Sequence, residues 1–480
     1  MRSYIPLCVL FSVSAYAQAV GPAAAGAQAA AAQTPVAQPA TAPRAPLQFS
    51  GSAPTGVATN AVIDLTLSDA VSRALKYNLA LIEGGQDVRL TRAERLQALS
   101  QILPSINARP SVTEQQVNLA AFGFSGFPGI PSVVGPFKVV DARAFFTETI
   151  GFAGFRAWQS RQHAVRASEL SLRDARDEVV LVVVQLYLQA VARSARIEAA
   201  RAQVQTAQEL FRTASDQRAA GVAPAIDVLR AQVELQSRQQ QQIFYEGEFE
   251  KEKLALARAI GLPTGQTFRL AETVPYTPLP GAVDLNAAIS DAYRQRADFQ
   301  AAEASVRAAE LALSSARAER YPSGAINADY GANGLHFDQL HGSFTVSAGV
   351  NIPIIQSGRI RAAIELASAQ LEQRRAERDN LRGQIDADVR NAFIDLQSAS
   401  RQVEVARSNV DLATQTVTQS RDRFAAGVTN NLEVVQAQEA LATANDNYIS
   451  ALYAFNSAKA ALARARGVSE EEITKAVTGK

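Results

Sequence analysis

Few side chains in this 480-residue chain could carry reaction chemistry. Its only histidines are His163, His336 and His341, its only cysteine is Cys8, and its only methionine is Met1. There is no Gly-rich phosphate loop, no zinc-ligand spacing and no nucleophile–histidine–acid set, so the chain reads as neither an enzyme nor a cofactor protein. His336 and His341 flank Asp338 in a polar stretch that reads as a solvated loop, not a metal site. The carboxylates say more. Ala219-Ala220-Gly221-Val222 returns as Ala425-Ala426-Gly427-Val428, and six residues past each glycine stands an acid, Asp227 or Glu433. One reading is local: an acid in the first turn of a helix meets free backbone N–H groups, and Asn430 with Glu433 spells a capping box. Pro224 likewise suits a first helical position. The other reading is collective: like carboxylates crowded together repel, favour cations and raise one another's pKa.

The turn recurs because the chain is duplicated. Leu67-Ser68-Asp69-Ala70-Val71 returns 218 positions later as Leu285-Asn286-Ala287-Ala288-Ile289, and Leu103-Pro104 as Tyr321-Pro322. Further on the offset is 206, carrying Tyr187 onto Phe393 and Gly261 onto Gly467, so the first copy holds about 12 extra residues between Pro104 and Tyr187. A solenoid unit runs to roughly 20–50 residues. This repeat is far longer and marks a duplicated half-protein.

Each copy contains very long helical stretches. Residues 156–220 lack Gly and Pro, 225–260 contain only Gly247, 359–426 only Gly383, and 428–466 neither. A helix of 60-odd residues is about 95–100 Å long, well beyond globular norms, and must lie along other rods. Val389, Leu396, Val403, Val410, Val417 and Phe424 recur every seven residues, with Ala392, Ala399, Ala406, Ala413 and Ser420 three residues after the first five. Val434, Leu441, Tyr448, Phe455 and Leu462 repeat the device, with Ala437, Ala444, Ala451, Ala458 and Ala465. The first copy keeps it in part through Val183, Ala190, Ile197, Val204 and Phe211. A seven-residue period predicts left-handed coiling, and alanine at alternate seam positions allows close approach.

Before each helical stretch the period changes to two. Phe344, Val346, Ala348, Val350 and Ile352 alternate with Ser343, Thr345, Ser347, Gly349 and Asn351. Ile326, Ala328 and Tyr330 alternate with Asn327 and Asp329; Ile106, Ala108 and Val112 with Asn107, Arg109, Ser111 and Thr113; Val140, Ala142, Ala144 and Phe146 with Asp141, Arg143, Phe145 and Thr147. Such two-faced strands of about nine to eleven residues either cover a soluble core or face lipid on one side and water on the other. Four strands cannot close a barrel, for which about eight is the minimum, and open edges are not tolerated in lipid. In a membrane, three subunits would pool them into twelve.

The ends of the chain point outward from the cytoplasm. Residues 1–17 read as a secretory signal: Arg2, an apolar run from Tyr4 to Val13, and Ala15-Tyr16-Ala17 before a cut at Gln18. Cys8 lies too near the start to follow a complete signal, so lipidation there is not expected and the mature chain would carry no thiol. Residues 18–61 are rich in Ala, Pro and Gln and read as a disordered tether. A net charge of +1 gives no reason to expect nucleic acid. No 18-residue apolar run predicts a transmembrane helix. Trp158 and the Phe-rich stretch from Phe122 to Phe137 suit either a membrane interface or loop packing.

The order of signal, helix, strand pair and long hairpin, written twice, resembles the TolC-type outer-membrane efflux family. So do the twin Ala-Ala-Gly-Val tips, each followed by a related helix start, Ile226-Asp227-Val228-Leu229-Arg230-Ala231-Gln232 and Leu432-Glu433-Val434-Val435-Gln436-Ala437-Gln438. The likeness covers about Leu65 to Ser469. It implies a mostly helical, internally duplicated fold with a β-barrel part. A first structural repeat would span 62–263, with strands at about 105–150, a hairpin at about 156–260 and a tip near 221. A linker at 264–282 would lead to a second repeat at 283–469, with strands at about 325–353, a hairpin at about 359–466 and a tip near 427, then a tail at 470–480. The linker region and tail would pack around the middle of a periplasmic helical cylinder. The resemblance implies a homotrimer with one 12-stranded barrel in outer-membrane lipid, serving as exit duct of a tripartite efflux or type I secretion system, with a periplasmic adaptor and an inner-membrane pump.

It also implies site roles. Glu433 and Asp227 map onto carboxylate rings that narrow the periplasmic end. Gly221, Val222, Arg218, Gly427, Val428 and Arg423 map onto the tips that meet the adaptor. Three positions depart from the family pattern: Gln436 replaces a second acid, Thr429 an arginine and Phe424 a tyrosine. Closure is therefore expected to rest on Phe424 packing more than on polar locks. The alternative reading is a periplasmic coiled-coil structural or adaptor protein, but adaptors usually carry a single hairpin followed by small β domains.

Overall fold

The computed structural model describes residues 51–123, 131–271, 276, 284–429, 431–468 and 472–474. The expected signal, most of the tether, Asn430 and most of the linker and tail lie outside them. The elements run β1 (Ile63–Leu65), α1 (Leu67–Tyr77), α2 (Leu79–Ser100), β2 (Ser105–Asn118), β3 (Val133–Ile150), α3 (Phe152–Ala219), α4 (Ala225–Ala259), β4 (Phe268–Leu270), α5 (Leu285–Gln295), α6 (Ala297–Ala318), β5 (Ser323–Gly334), β6 (His341–Asn351), α7 (Arg359–Ala425) and α8 (Asn431–Ala465). They fall into two compact units, one of strands and one chiefly of helices.

The strand unit is one antiparallel sheet in the order β2-β3-β5-β6. Its register makes both faces continuous. Ile106 pairs with Phe146, Ala144 with Tyr330, Tyr330 with Phe344 and Ala328 with Val346, so the apolar sets of all four strands share a face. That face is bare: Ile106, Tyr330, Phe344, Val346 and Val350 are each at least 69% exposed. The polar sets share the other face, where Arg143 donates to Asp141 at 2.9 Å and to Asp329 at 2.8 Å. β2 and β3 have 14 and 18 residues, longer than the alternation alone predicts, because the ladder continues through a bulge after Gln115 to pair Asn118 with Val133.

In the helical unit α3 lies between α4 and α8, α7 packs along the far side of α8, and α6 lies against both α3 and α7. The heptad positions form the seam. Val389, Leu396, Ala399, Val403, Val417 and Phe424 of α7 are buried, as are Val434, Ala437, Ala444, Phe455 and Leu462 of α8. Val410 and Ala413 are only half-buried. Midway along α3, Val179, Val180, Val183, Val184 and Tyr187 are almost wholly enclosed by α1, β1, β4 and Ile473, and the Tyr187 hydroxyl donates to the Leu65 carbonyl at 3.1 Å. By length and composition α3 contains a stretch apolar enough to cross a bilayer, and 39% of that stretch is buried within the chain. Charged side chains pair nearby, and one pair, Arg464 with Asp174, ties the two copies together. Arg296 spans Asp298 (2.7 Å) and Asp388 (3.1 Å), and Arg464 donates to Asp174. Burial pushes the Asp174 carboxyl above its ordinary range even with Arg464 against it.

Candidate functional site

Both tips close with the same chemistry. At the end of α3 the Gly221 N–H donates to the Arg218 carbonyl and the Val222 N–H to the Gln217 carbonyl, each at 3.0 Å. At the end of α7 the Gly427 N–H donates to the Phe424 carbonyl and the Val428 N–H to the Arg423 carbonyl, again at 3.0 Å. These are paired Schellman bonds, which need a left-handed residue after the helix; φ is +76° at Gly221 and +70° at Gly427. Nothing lies within 4 Å of where a Cβ would stand at either glycine. Val222 and Val428 are 75% and 70% exposed, and Arg218 and Arg423 are exposed beside them. Each tip thus presents a glycine, an uncovered valine and a cation.

Behind the tips the two hairpins join. Phe424 is buried with Leu210, Ala214, Ala231 and Val434, one residue set from all four long helices. The two carboxylates differ. Glu433 is half-buried and accepts from Thr429 Oγ1 at 2.5 Å, with Ser420 Oγ at 3.4 Å and the Arg423 guanidinium at 3.5 Å. Asp227 is turned inward, with its side chain 8% exposed and Arg230 at 3.7 Å. Asn431, fully buried, donates from Nδ2 to the Asp227 backbone carbonyl at 3.0 Å. Gln436 is exposed. Pro224 is the N-cap of α4, one place before the expected first helical position, and its carbonyl accepts from the Asp227 N–H.

The hydroxyl of Thr429 and the amide of Asn431 are polar links that the sequence reading missed beside Phe424. They stand two and four residues past Gly427 and are common turn residues, so their composition alone carried no signal. His341 Nδ1 lies 3.0 Å from the Gln339 carbonyl oxygen, a contact two residues away in sequence. Trp158 stacks at a tilt on Phe155 in the first turns of α3.

The chain matches the family model described as outer membrane efflux protein over residues 70–262 and 288–468, one stretch per copy. The chain belongs to this family. The pyoverdine export outer membrane protein OpmQ of Pseudomonas aeruginosa is 25% identical over 84% of this chain and 85% of its own length. OpmQ of Pseudomonas putida is 26% identical over 60% of this chain and 62% of its own, so that match spans less than two thirds of the relative. Among solved structures, the outer membrane protein VceC of Vibrio cholerae superposes with a TM-score of 0.72 at 18% identity, covering 84% of this chain and 96% of VceC. That likeness shows the fold, which is the TolC-type outer-membrane channel fold. Family membership places this chain in the outer membrane, and its relatives are outer-membrane components of efflux and secretion systems. The periplasmic adaptor alternative is not favoured.

Proposed function

We propose that the chain is a trimeric exit duct, carrying cargo from an inner-membrane pump and a periplasmic adaptor across the outer membrane. The single observation that carries this is the bare apolar face of the four-stranded sheet together with its unpaired outer edges on β2 and β6. An exposed apolar surface of that extent requires lipid or protein, and edges in lipid require closure. Three copies, each ending on β6 beside the next copy's β2, keep the antiparallel alternation all the way round. On the apolar side of β3 the run Val140, Ala142, Ala144, Phe146 is bounded by Lys138 and Glu148. Ten residues of strand rise about 33 Å, which at the usual tilt gives a band of about 25 Å, the height of an outer-membrane barrel's lipid belt.

The helical edges also offer surface for a neighbouring subunit. Ile226, Leu229, Val233, Ile243 and Leu254 on α4 and Ile394, Val405 and Leu412 on α7 are exposed, and these are the two outer helices of the layer. A neighbouring subunit's α7 against α4 would cover both. In this reading Glu433 offers its carboxylate to the narrow end of the bore, Asp227 sits in the joint between hairpins, Phe424 packs that joint among the four long helices, and exposed Gln436 lines the approach. Gly221, Val222, Arg218, Gly427, Val428 and Arg423 form the surface that meets the adaptor. Light scattering of the detergent-purified chain, followed by single-channel recording of the parent and Glu433→Ala, tests the proposal. A trimer mass is expected, with conductance steps whose size or cation preference changes in the variant. A monomer would overturn the duct, and identical traces would remove Glu433 from the gate.

A further inference from the structure

The polar face of the sheet carries a charge arrangement that strand packing alone disfavours. Arg109 of β2 and Arg143 of β3 are directly opposed in the ladder, and like charges in that position repel. Arg143 escapes by turning away. Its Nε donates to Asp141 at 2.9 Å and its Nη1 crosses to Asp329 on β5 at 2.8 Å. The room for that crossing comes from Gly331, the residue opposite Arg143 on β5. A Cβ there would lie 2.3 Å from the Ala142 carbonyl oxygen and 2.5 Å from Arg143 Cγ. Among the described residues Arg109 has no carboxylate partner. Its guanidinium lies over the Phe145 ring, 5.3 Å from the centroid, which holds the cation near the wall.

The sum of charges follows. Among the described strand residues on this face, Asp141, Arg143 and Asp329 together leave one surplus negative charge, and Arg109 on the neighbouring strand supplies the offsetting positive one. Glu114, Lys138 and Glu148 have the opposite alternation and belong to the other face. Were Arg109 absent, three subunits would present an acidic belt at one level of the bore. We propose that Arg109 balances the Asp141–Arg143–Asp329 cluster, so that the barrel wall passes anionic and cationic cargo groups without strong preference. The inference rests on the trimeric-barrel reading and deepens it by naming what sets selectivity inside the barrel.

Reversal potentials across a planar bilayer in a potassium chloride gradient test it, with every variant measured in the whole mature chain and again in the Glu433→Ala background, so that the gate does not mask the barrel. Arg109→Gln should raise the potassium-to-chloride permeability ratio about twofold or more relative to the parent, and Arg109→Glu should raise it further. Arg109→Lys, which keeps the charge and loses the planar guanidinium, should leave the ratio unchanged. Asp329→Asn should lower it, and the double variant Arg109→Gln/Asp329→Asn should return it towards the parent. Glu148→Gln, on the lipid-facing side, should do nothing. Conducting Arg109→Gln and Arg109→Glu channels with the parent ratio would overturn the inference and leave the duct standing. A parent chain that forms no conducting steps would overturn the barrel and, with it, this inference. Arg109 is exposed, so its variants are expected to fold even if Asp329→Asn does not.

Discussion

Two glycines and two carboxylates set the behaviour of the tips. At Gly427 the backbone is left-handed with open space where a side chain would stand. A non-glycine residue there costs about 1–2 kcal/mol of local strain, which a helical layer of this size tolerates. Gly427→Trp is therefore expected to leave the trimer and its membrane location intact while abolishing export, because the added ring would occupy the space a partner needs. An export assay beside a native-gel trimer check decides it; normal export would remove the docking surface. The tip glycines and acids were legible in the sequence because they recur at a fixed offset. The burial of Asp227 was not, because it lies where the two hairpins meet, its backbone carbonyl taking a bond from Asn431 of the other hairpin, and pairing between segments some 200 residues apart leaves no local pattern.

Among the elements, α7 shows how one helix can have two apolar faces with different partners. Leu396 is 3% exposed within its own chain, whereas Leu412 is 58% exposed. Leu396→Ala should cost about 2–4 kcal/mol of subunit stability through the cavity it opens. Leu412→Ala should leave subunit unfolding almost unchanged and lower the concentration of denaturant at which the trimer dissociates. Chemical unfolding followed by fluorescence, paired with light scattering across the same titration, separates the two. Equal effects on both would contradict an α4–α7 contact between subunits. The heptad seam was readable because its period is strict. The outer face was not, because Ile394, Val405 and Leu412 are interspersed with Ser398, Arg401 and Ser408 and carry no unbroken stripe.

For the whole molecule the question is which side of the sheet lipid touches. Alternation alone left a soluble core and a membrane wall equally open. The register brings four apolar sets onto one bare face and every strand's polar set onto the other. That result needed the pairing order β2-β3-β5-β6, which joins the two copies through β3 and β5 and cannot be read from either copy alone. Val346 and Ser347 are neighbours in β6 on opposite faces. Arginine at a lipid-facing position near mid-bilayer costs about 2–4 kcal/mol per strand site. In a trimer the cost arises three times at the same depth. Val346→Arg should therefore block insertion into lipid vesicles or shift the urea midpoint for folding into them sharply downward. Ser347→Arg, facing water in the bore, should insert normally and alter conductance. If the two variants exchange behaviours, the lipid side has been assigned backwards; if neither affects insertion, the sheet is not in the membrane.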